Sequence, residues 1–185
     1  MKKCVALLLA LVLVGIAACG SRNLNKEPPV IRATHVDLQR YMGPWFIVGA
    51  IGLSLEKGAH NAVETYTLNP DGSIAAVFQF RKNSFDGELV TKVTKAVVQP
   101  GSGNAEWRIR IFGPLKYQYL ISHLEPDYSA AILARDKRDY VWILARDPKM
   151  KPPQYDAYVQ KIEDLGYDLS KFSSYPHDGR QPEEL

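Results

Sequence analysis

Hydrophobic and polar residues alternate along several short segments in the middle of the chain. Trp107, Ile109 and Ile111 share one face of such a segment, charged residues occupy the other face, and the same alternation runs from Ile74 to Phe80. Because successive side chains of a β-strand point to opposite faces, this pattern predicts half-buried strands. Clusters of Gly, Pro, Asn and Asp separate the segments, which is typical of an antiparallel sandwich or barrel.

One of the predicted strands is hydrophobic on both faces. Tyr140, Trp142 and Leu144 form one face, and Val141 and Ile143 form the other. A strand with two apolar faces is covered on both sides in a folded domain. We therefore expect another element to pack on the outer surface of the sheet.

The segment after residue 150 predicts that covering element. Pro152 and Pro153 precede it and Gly166 follows it, and these residue types favour the first turn and the end of an α-helix. Between them, apolar residues recur at the spacing of one helical face. They are Tyr155, Tyr158, Val159, Ile162 and Leu165. The prediction is a single amphipathic helix after a series of short strands.

The first residues of the chain have the features of a secretory signal. Lys2 and Lys3 precede an apolar run that ends near Ile16, and this run is shorter than the roughly 20 residues of a membrane-spanning helix. The stretch IAAC, which ends at Cys19, resembles the lipobox of bacterial lipoproteins.

The lipobox resemblance implies how the N-terminus is processed. Residues 1–18 would be a signal peptide, and Cys19 would become the acylated first residue of the mature protein. Gly20 after the cysteine implies sorting to the outer membrane. Several acyl chains anchor a protein durably, whereas one chain binds only marginally. Residues 19–36 contain few large apolar side chains and are predicted to be the lipidated N-terminus and a tether.

Composition and charge exclude some functions. The length fits one domain with a sizeable core. Without Lys2 and Lys3, the 23 basic residues become 21 against 20 acidic ones, so the formal net charge falls from +3 to +1. No basic block remains to bind nucleic acid. The two cysteines are Cys4, in the signal, and Cys19, so the mature domain has no disulfide.

A Gly-x-Trp motif lies where the first strand is predicted to begin. Gly43 permits a sharp bend, and Pro44 fixes the direction of the chain. Trp45 is large enough to plug one end of a barrel. The motif alone has low specificity, because three residues recur by chance.

Three stretches of sequence together resemble the signatures of the lipocalins. They are RYMGPWFIVG at the first strand, LEPDYSAAIL around Asp127 and Tyr128, and YVWILARDP with Arg146. This resemblance to the lipocalin family, its bacterial outer-membrane members in particular, implies an all-β fold. The expected architecture is an eight-stranded antiparallel up-and-down barrel with one C-terminal α-helix packed outside. The domain would span residues 37–175, followed by a flexible tail at 176–185.

The resemblance also implies roles for individual residues. Trp45 and Arg146 would form a cation–π contact at the closed end of the barrel, a structural pair that identifies the fold and not the ligand. Barrels of this size are filled by side chains or hold one small ligand, and analogy with the family favours an open, apolar cavity. Trp142 is the first candidate for contact with a ligand. The candidate pocket residues are Phe78, Phe80, Trp107, Tyr117, Tyr119, Tyr140 and Trp142.

No pattern in the sequence indicates catalysis or metal binding. His35, His60, His123 and His177 are scattered without the spacing of metal ligands. Neither a Gly-x-Ser-x-Gly motif nor a phosphate-binding glycine loop occurs. We therefore predict that the protein is not an enzyme and that it uses neither a metal nor a cofactor.

The expected protein is an outer-membrane lipoprotein whose domain faces the periplasm. It would bind, store or transport fatty acids or lysophospholipids for maintenance of the cell envelope. Its partners would be the lipid ligand and the membrane, which it reaches through acylated Cys19. Formation of a homodimer is also possible from the sequence. Two alternatives remain: an enzyme that modifies a lipid or isoprenoid, and a purely structural envelope lipoprotein with a filled barrel.

Overall fold

The computed structural model describes residues 27–110 and 115–180. The predicted signal peptide, Cys19 and residues 181–185 of the predicted tail lie outside the described residues. Within the described residues the elements are, in chain order, α1 (Leu38–Tyr41), β1 (Gly43–Ile51), a 3₁₀ turn (Ser54–Glu56), β2 (Ala59–Leu68), β3 (Ile74–Lys82), β4 (Leu89–Val98), β5 (Glu106–Arg110), β6 (Lys116–Leu124), β7 (Ala130–Ala134), β8 (Val141–Ala145), α2 (Pro152–Asp164), a second 3₁₀ turn (Leu169–Lys171) and β9 (Ser173–Ser174).

Strands β1 to β8 form a closed antiparallel barrel. Each strand pairs with the next, and β1 pairs with both β2 and β8, which closes the sheet on itself. Closure is one way in which an antiparallel sheet avoids exposed edges. The predicted fold, an eight-stranded up-and-down barrel with one helix outside, is confirmed.

Helix α1 and the start of β1 cover one end of the barrel, called here the closed end. The Asp37 carboxylate accepts a hydrogen bond from the backbone N–H of Gln39 at 2.9 Å and so begins the helix. Gly43 has a φ of +90°, a left-handed conformation that favours glycine, and the chain turns there into β1. Trp45 is completely buried beneath this crossing. The opposite end, at the β1–β2, β3–β4 and β7–β8 loops, is the mouth.

Two hydrophobic cores lie on the two sides of the barrel wall. The inner core fills part of the barrel, and the outer core lies between the sheet and α2. Val141 and Ile143 of β8 are fully buried in the outer core together with Tyr158 and Ile162 of α2. The prediction that a helix covers the outer face of this strand is confirmed.

Strands β1 and β2 separate toward the mouth, and residues 173–178 fill the gap between them. The two strands pair directly only near the closed end. Nearer the mouth, β9 pairs with the edge of β1, and the Tyr175 N–H donates to the Val48 carbonyl at 3.0 Å. On the other side, the Asn61 N–H donates to the Pro176 carbonyl at 2.9 Å. We call residues 173–178 the C-terminal seam.

Parts of the segments that were predicted to be a tether and a flexible tail pack against the barrel. Val30 is buried, and the backbone N–H of Ala33 donates to the Ile121 carbonyl at 2.8 Å. The backbone N–H of Asp178 donates to the Asn61 side chain at 3.1 Å. Backbone hydrogen bonds therefore hold parts of both segments against the barrel, although neither segment is rich in apolar residues.

Candidate functional site

The guanidinium of Arg146 holds the closed end together. Its Cζ atom lies 3.8 Å from the centroid of the Trp45 ring, which is the contact that the family resemblance implied. The Trp45 indole N–H donates to the Tyr41 carbonyl at 2.8 Å. The guanidinium also donates hydrogen bonds to the carbonyl oxygens of Arg40, Tyr41, Met42 and Pro44. Because all these partners lie in the α1–β1 crossing, the contact is structural.

Asp127 and Tyr128 form the turn between β6 and β7 at the same end. The Asp127 carboxylate accepts a hydrogen bond from the Ser129 N–H at 2.9 Å. The Tyr128 hydroxyl accepts one from the Asp37 N–H at 2.8 Å, and the Arg40 guanidinium lies 4.0 Å from the centroid of the Tyr128 ring. Trp45, Asp127, Tyr128 and Arg146 therefore lie together at the closed end, and none of these four lines the cavity.

A cavity extends from the mouth into the barrel. The space between its walls, including the part that opens to solvent at the mouth, is about 730 Å³. Aliphatic and aromatic side chains form most of its wall. The predicted pocket residues that line it are Phe78, Tyr117, Tyr119, Tyr140 and Trp142.

Phe80 and Trp107 do not line the cavity, in contrast to the prediction. Both side chains belong to the inner core of the barrel, but other side chains separate them from the cavity. Phe80 packs on Phe78 with the ring centroids 5.2 Å apart, and Trp107 stacks on Tyr119 at 4.9 Å. The alternation of a strand identifies its inner face, but it does not say which inner side chains leave space for a ligand.

Charged side chains also line the cavity, although the predicted cavity was apolar. They are Glu56, Glu64, Lys92 and Arg135. For Glu64, a sequence signal was present: the apolar residues Ala62 and Tyr66 stand two positions away on either side, so the period of a strand puts Glu64 on the same face as both.

Glu56 ties the β1–β2 loop to the barrel wall. One of its carboxylate oxygens accepts hydrogen bonds from the Trp142 indole at 3.0 Å and from the Tyr175 hydroxyl at 2.9 Å. Burial raises the pKa of Glu56, and these two hydrogen bonds partly offset the effect. Leu53 and Leu55 of the same loop line the cavity, so Glu56 fixes one side of the mouth.

Glu64 faces the cavity closer to the closed end and has different surroundings. It pairs in register with Trp45 on β1 and Phe78 on β3. Within residues 27–110 and 115–180, its side chain forms neither a hydrogen bond nor an ion pair. Burial, reinforced by the charge of Glu56, raises the pKa of Glu64 to about 8. The carboxyl therefore keeps its proton at neutral pH.

Tyrosine hydroxyls lie at the inner end of the cavity. The Tyr119 hydroxyl oxygen is 2.5 Å from that of Tyr66 and 3.4 Å from that of Tyr41. Burial raises the pKa of all three, so they remain protonated and can both donate and accept hydrogen bonds. Tyr66 and Tyr119 line the cavity, and Tyr41 lies behind them.

Arg135 supplies positive charge at the mouth. Its Nη1 atom pairs with Asp139 at 3.1 Å, and its guanidinium lies 5.1 and 5.3 Å from the ring centroids of Tyr117 and Tyr140. The Arg135 Nε–H is buried and has no hydrogen-bond partner among the described residues. Because Arg135 lines the cavity, its positive charge acts on whatever the cavity holds.

Neither metal ligands nor a membrane-crossing helix is found in the part of the chain that the structure describes. No group of three or more His, Cys, Asp or Glu side chains there could hold a metal ion. No helix there is long and apolar enough to cross a membrane.

A closed barrel with one external helix and an open cavity defines a class of small-molecule-binding proteins. Residues 36–177 match the lipocalin-like domain family, and the chain belongs to that family. The resemblance found in the sequence is thereby confirmed. Lipocalins generally bind small hydrophobic ligands and are not enzymes as a rule.

Relatives with this domain occur in plants, bacteria and animals. Temperature-induced lipocalin-1 of Arabidopsis thaliana is 30% identical, with 86% of this chain and 88% of that protein covered. Outer membrane lipoprotein Blc of Escherichia coli (strain K12) is 26% identical, with 85% and 87% covered. Apolipoprotein D of Rattus norvegicus is 28% identical, with 77% of each chain covered.

Solved structures agree with the fold. The crystal structure of Per a 4 from cockroaches superposes with a TM-score of 0.59 at 17% identity. The superposition covers 80% of this chain and 92% of that one. At this identity the likeness supports the barrel architecture alone.

Proposed function

We propose that this protein is an outer-membrane lipoprotein that binds, stores or transports fatty acids or lysophospholipids in its barrel. The observation that carries the proposal is a largely apolar, aromatic cavity with the Arg135 guanidinium in its wall at the mouth. The wall suits an acyl chain, and the guanidinium suits a carboxylate or phosphate group. The chain would therefore lie inside the barrel with its anionic head at the mouth.

Burial of the acyl chain is sufficient to drive binding. Roughly 15 methylene groups at about 0.8 kcal/mol each give an upper bound near 12 kcal/mol before ordering costs. Micromolar affinity requires only about 8 kcal/mol. Contacts between Arg135 and the head then fix the orientation of the ligand more than they contribute to its affinity.

The ligand site can be tested through Trp142. The mature chain with Cys19→Ser is titrated with a lysophospholipid and with palmitate. We expect a saturable shift of tryptophan emission to the blue that largely vanishes in Trp142→Phe and persists in Trp107→Phe, because Trp107 is shielded by Tyr119. A full signal in Trp142→Phe would contradict the assigned pocket.

Arg135 supplies the matched test of the head-group contact. Arg135→Gln should weaken palmitate binding about tenfold, which corresponds to about 1.4 kcal/mol. It should leave the affinity for the uncharged hexadecanol unchanged. Recovery of chemically altered lipid would instead support the enzyme alternative, and failure of every lipid to bind would support a structural lipoprotein.

The membrane location is supported by the lipobox resemblance at Cys19 and by the relative named an outer membrane lipoprotein. The acylated protein would hold its domain on the periplasmic face of that membrane. We expect the natural protein to fractionate with the outer membrane and Cys19→Ser to be soluble or to retain its signal. Equal membrane association of both would overturn this part of the proposal. Native mass spectrometry of the mature chain would report the bound lipid and any homodimer together.

A further inference from the structure

The two ends of the cavity have opposite chemical character. Arg135 provides a positive charge at the mouth. Toward the closed end, the Glu64 carboxyl and the Tyr66 and Tyr119 hydroxyls line the wall. Lys92 lies two strands away from Glu64 on the same inner face, but no ion pair joins them. The inner end is therefore rich in hydrogen-bond acceptors.

An acyl chain alone does not explain Glu64. Burial of a carboxyl group without a partner is unfavourable, and an aliphatic residue at this position would suit a hydrocarbon tail better. The fold does not use the group either, since its side chain has no hydrogen bond or ion pair in the described residues. A ligand that brings its own hydrogen-bond donor would satisfy it.

The aromatic surroundings of Glu64 indicate which kind of donor fits. Tyr66 and Tyr119 present rings and hydroxyl oxygens at the inner end, and both rings pack on Trp107. The faces of aromatic rings attract cations, and hydroxyl oxygens accept hydrogen bonds from them. A carboxyl group beside such rings is suited to a protonated amine.

We propose that the inner end of the cavity binds the ammonium group of a single-chain alkylamine and that Glu64 is the residue that selects it. This inference rests on the proposed function, because it requires that the barrel takes up single-chain amphiphiles. The ammonium group would donate to the Glu64 carboxylate and to the Tyr66 and Tyr119 hydroxyls, with the chain extending toward the mouth. A fatty acid would bind the other way round, with its head at Arg135 and its tail beside protonated Glu64.

The two binding modes differ in the proton on Glu64. In the free protein this carboxyl is mostly protonated at pH 7, since its pKa is raised to about 8. An ammonium group beside it favours the ionised form, so binding releases the proton to solvent. The alkylamine stays charged, because amines of this kind have a pKa of about 10. The other ionisable groups around Glu64 are Glu56, Tyr41, Tyr66, Tyr119 and Lys92.

Three ligands with the same chain test the proposal. Decylamine, 1-decanol and decanoate are titrated calorimetrically into the mature chain with Cys19→Ser at pH 7, in buffers of different ionisation enthalpy. We expect decylamine to bind about tenfold more tightly than 1-decanol, with release of about one proton. In Glu64→Gln, which has nearly the same shape, the advantage and the proton release should disappear while binding of 1-decanol and decanoate persists.

Glu56→Gln is the matched control. Its carboxylate is already bonded to Trp142 and Tyr175, so the preference for decylamine should survive this change. The amine site is overturned if decylamine binds no better than 1-decanol, if the preference survives Glu64→Gln, or if Glu56→Gln abolishes it. If none of the three ligands binds, the proposed function fails as well. Binding of decanoate and 1-decanol without a preference for decylamine refutes the amine site alone.

Discussion

Two glutamates in the same barrel lie in regions of opposite character. At the mouth, Glu56 accepts hydrogen bonds from Trp142 and Tyr175, and it positions a loop. Toward the closed end, Glu64 has no such partner within the described residues, although burial raises the pKa of both side chains. Burial alone therefore does not distinguish a structural carboxyl from one that is available to a ligand. The hydrogen-bond partners make that distinction.

The largest expected difference between the two regions is in the pH dependence of stability. Glu64 has a pKa of 4.5 when unfolded and about 8 when folded, so the folded protein holds the extra proton between these values. The free energy of unfolding then falls as the pH rises through this interval and levels off above it. Between pH 5 and pH 8, the natural residue should lose about 2–4 kcal/mol more stability than Glu64→Gln.

Urea unfolding of both proteins at the two pH values measures this difference. The other ionisable groups contribute equally to both proteins and cancel in the comparison. If both proteins lose the same stability between pH 5 and pH 8, folding does not raise the pKa of Glu64.

Removal of the Glu56 side chain should have the next largest effect. Glu56→Ala leaves the Trp142 and Tyr175 donors without their acceptor, which should cost about 2–3 kcal/mol in urea unfolding at pH 7. Glu56→Gln keeps an acceptor oxygen and should cost about half as much. Glu64→Ala should cost less than Glu56→Ala, since it breaks no hydrogen bond. Equal costs for the two alanine variants would contradict the distinction between the regions.

A double-mutant cycle tests the hydrogen bond between Tyr175 and Glu56 at the mouth. Tyr175→Phe removes one hydrogen bond to Glu56 and should cost about 1 kcal/mol. In the Glu56→Ala background the same change should cost almost nothing, because the acceptor is already absent. The measurement is urea unfolding of the four proteins, and additive costs would mean that the hydrogen bond does not form.

The smallest expected effect concerns Lys92. It faces the cavity but forms no ion pair with Glu64 in the described chain, so Lys92→Met should change stability by less than about 0.5 kcal/mol. The pH dependence of stability should also match that of the natural protein. A steeper loss of stability toward pH 8 would reveal that Lys92 does stabilise the ionised form of Glu64.

Much of the fold followed from the sequence, because alternation and turn residues are local signals. The strand at Val141 to Ala145 was identified from its period, and the helix at Pro152 from its period and from the proline and glycine residues that flank it. The choice of a barrel over a sandwich required the lipocalin signatures, since both architectures use the same short strands. The packing of residues 30–36 and of the C-terminal seam depends on backbone hydrogen bonds, which side-chain patterns do not indicate.

The charged wall of the cavity was harder to predict, and β4 shows why. Its apolar residues Val93 and Val97 lie on the outer face and are 72% and 50% exposed. Lys92 and Thr94, on the opposite face, line the cavity. The usual inference that apolar positions point inward therefore fails at Val93 and Val97, although Val90, Ala96 and Val98 of the same strand do face the inner core. The register with β3, in which Phe78 pairs with Lys92, places Lys92 on the inner face.

The C-terminal seam makes completion of the barrel wall depend on residues far along the sequence from β1 and β2. Asn61 and its partner Asp178 are separated by 117 positions in the sequence. Strands β1 to β8 pair with one another without the seam, but the wall between β1 and β2 stays split toward the mouth until residues 173–178 dock. Pairings between such distant residues also form slowly. Pairing of neighbouring strands and closure of the wall therefore rest on contacts of very different sequence separation.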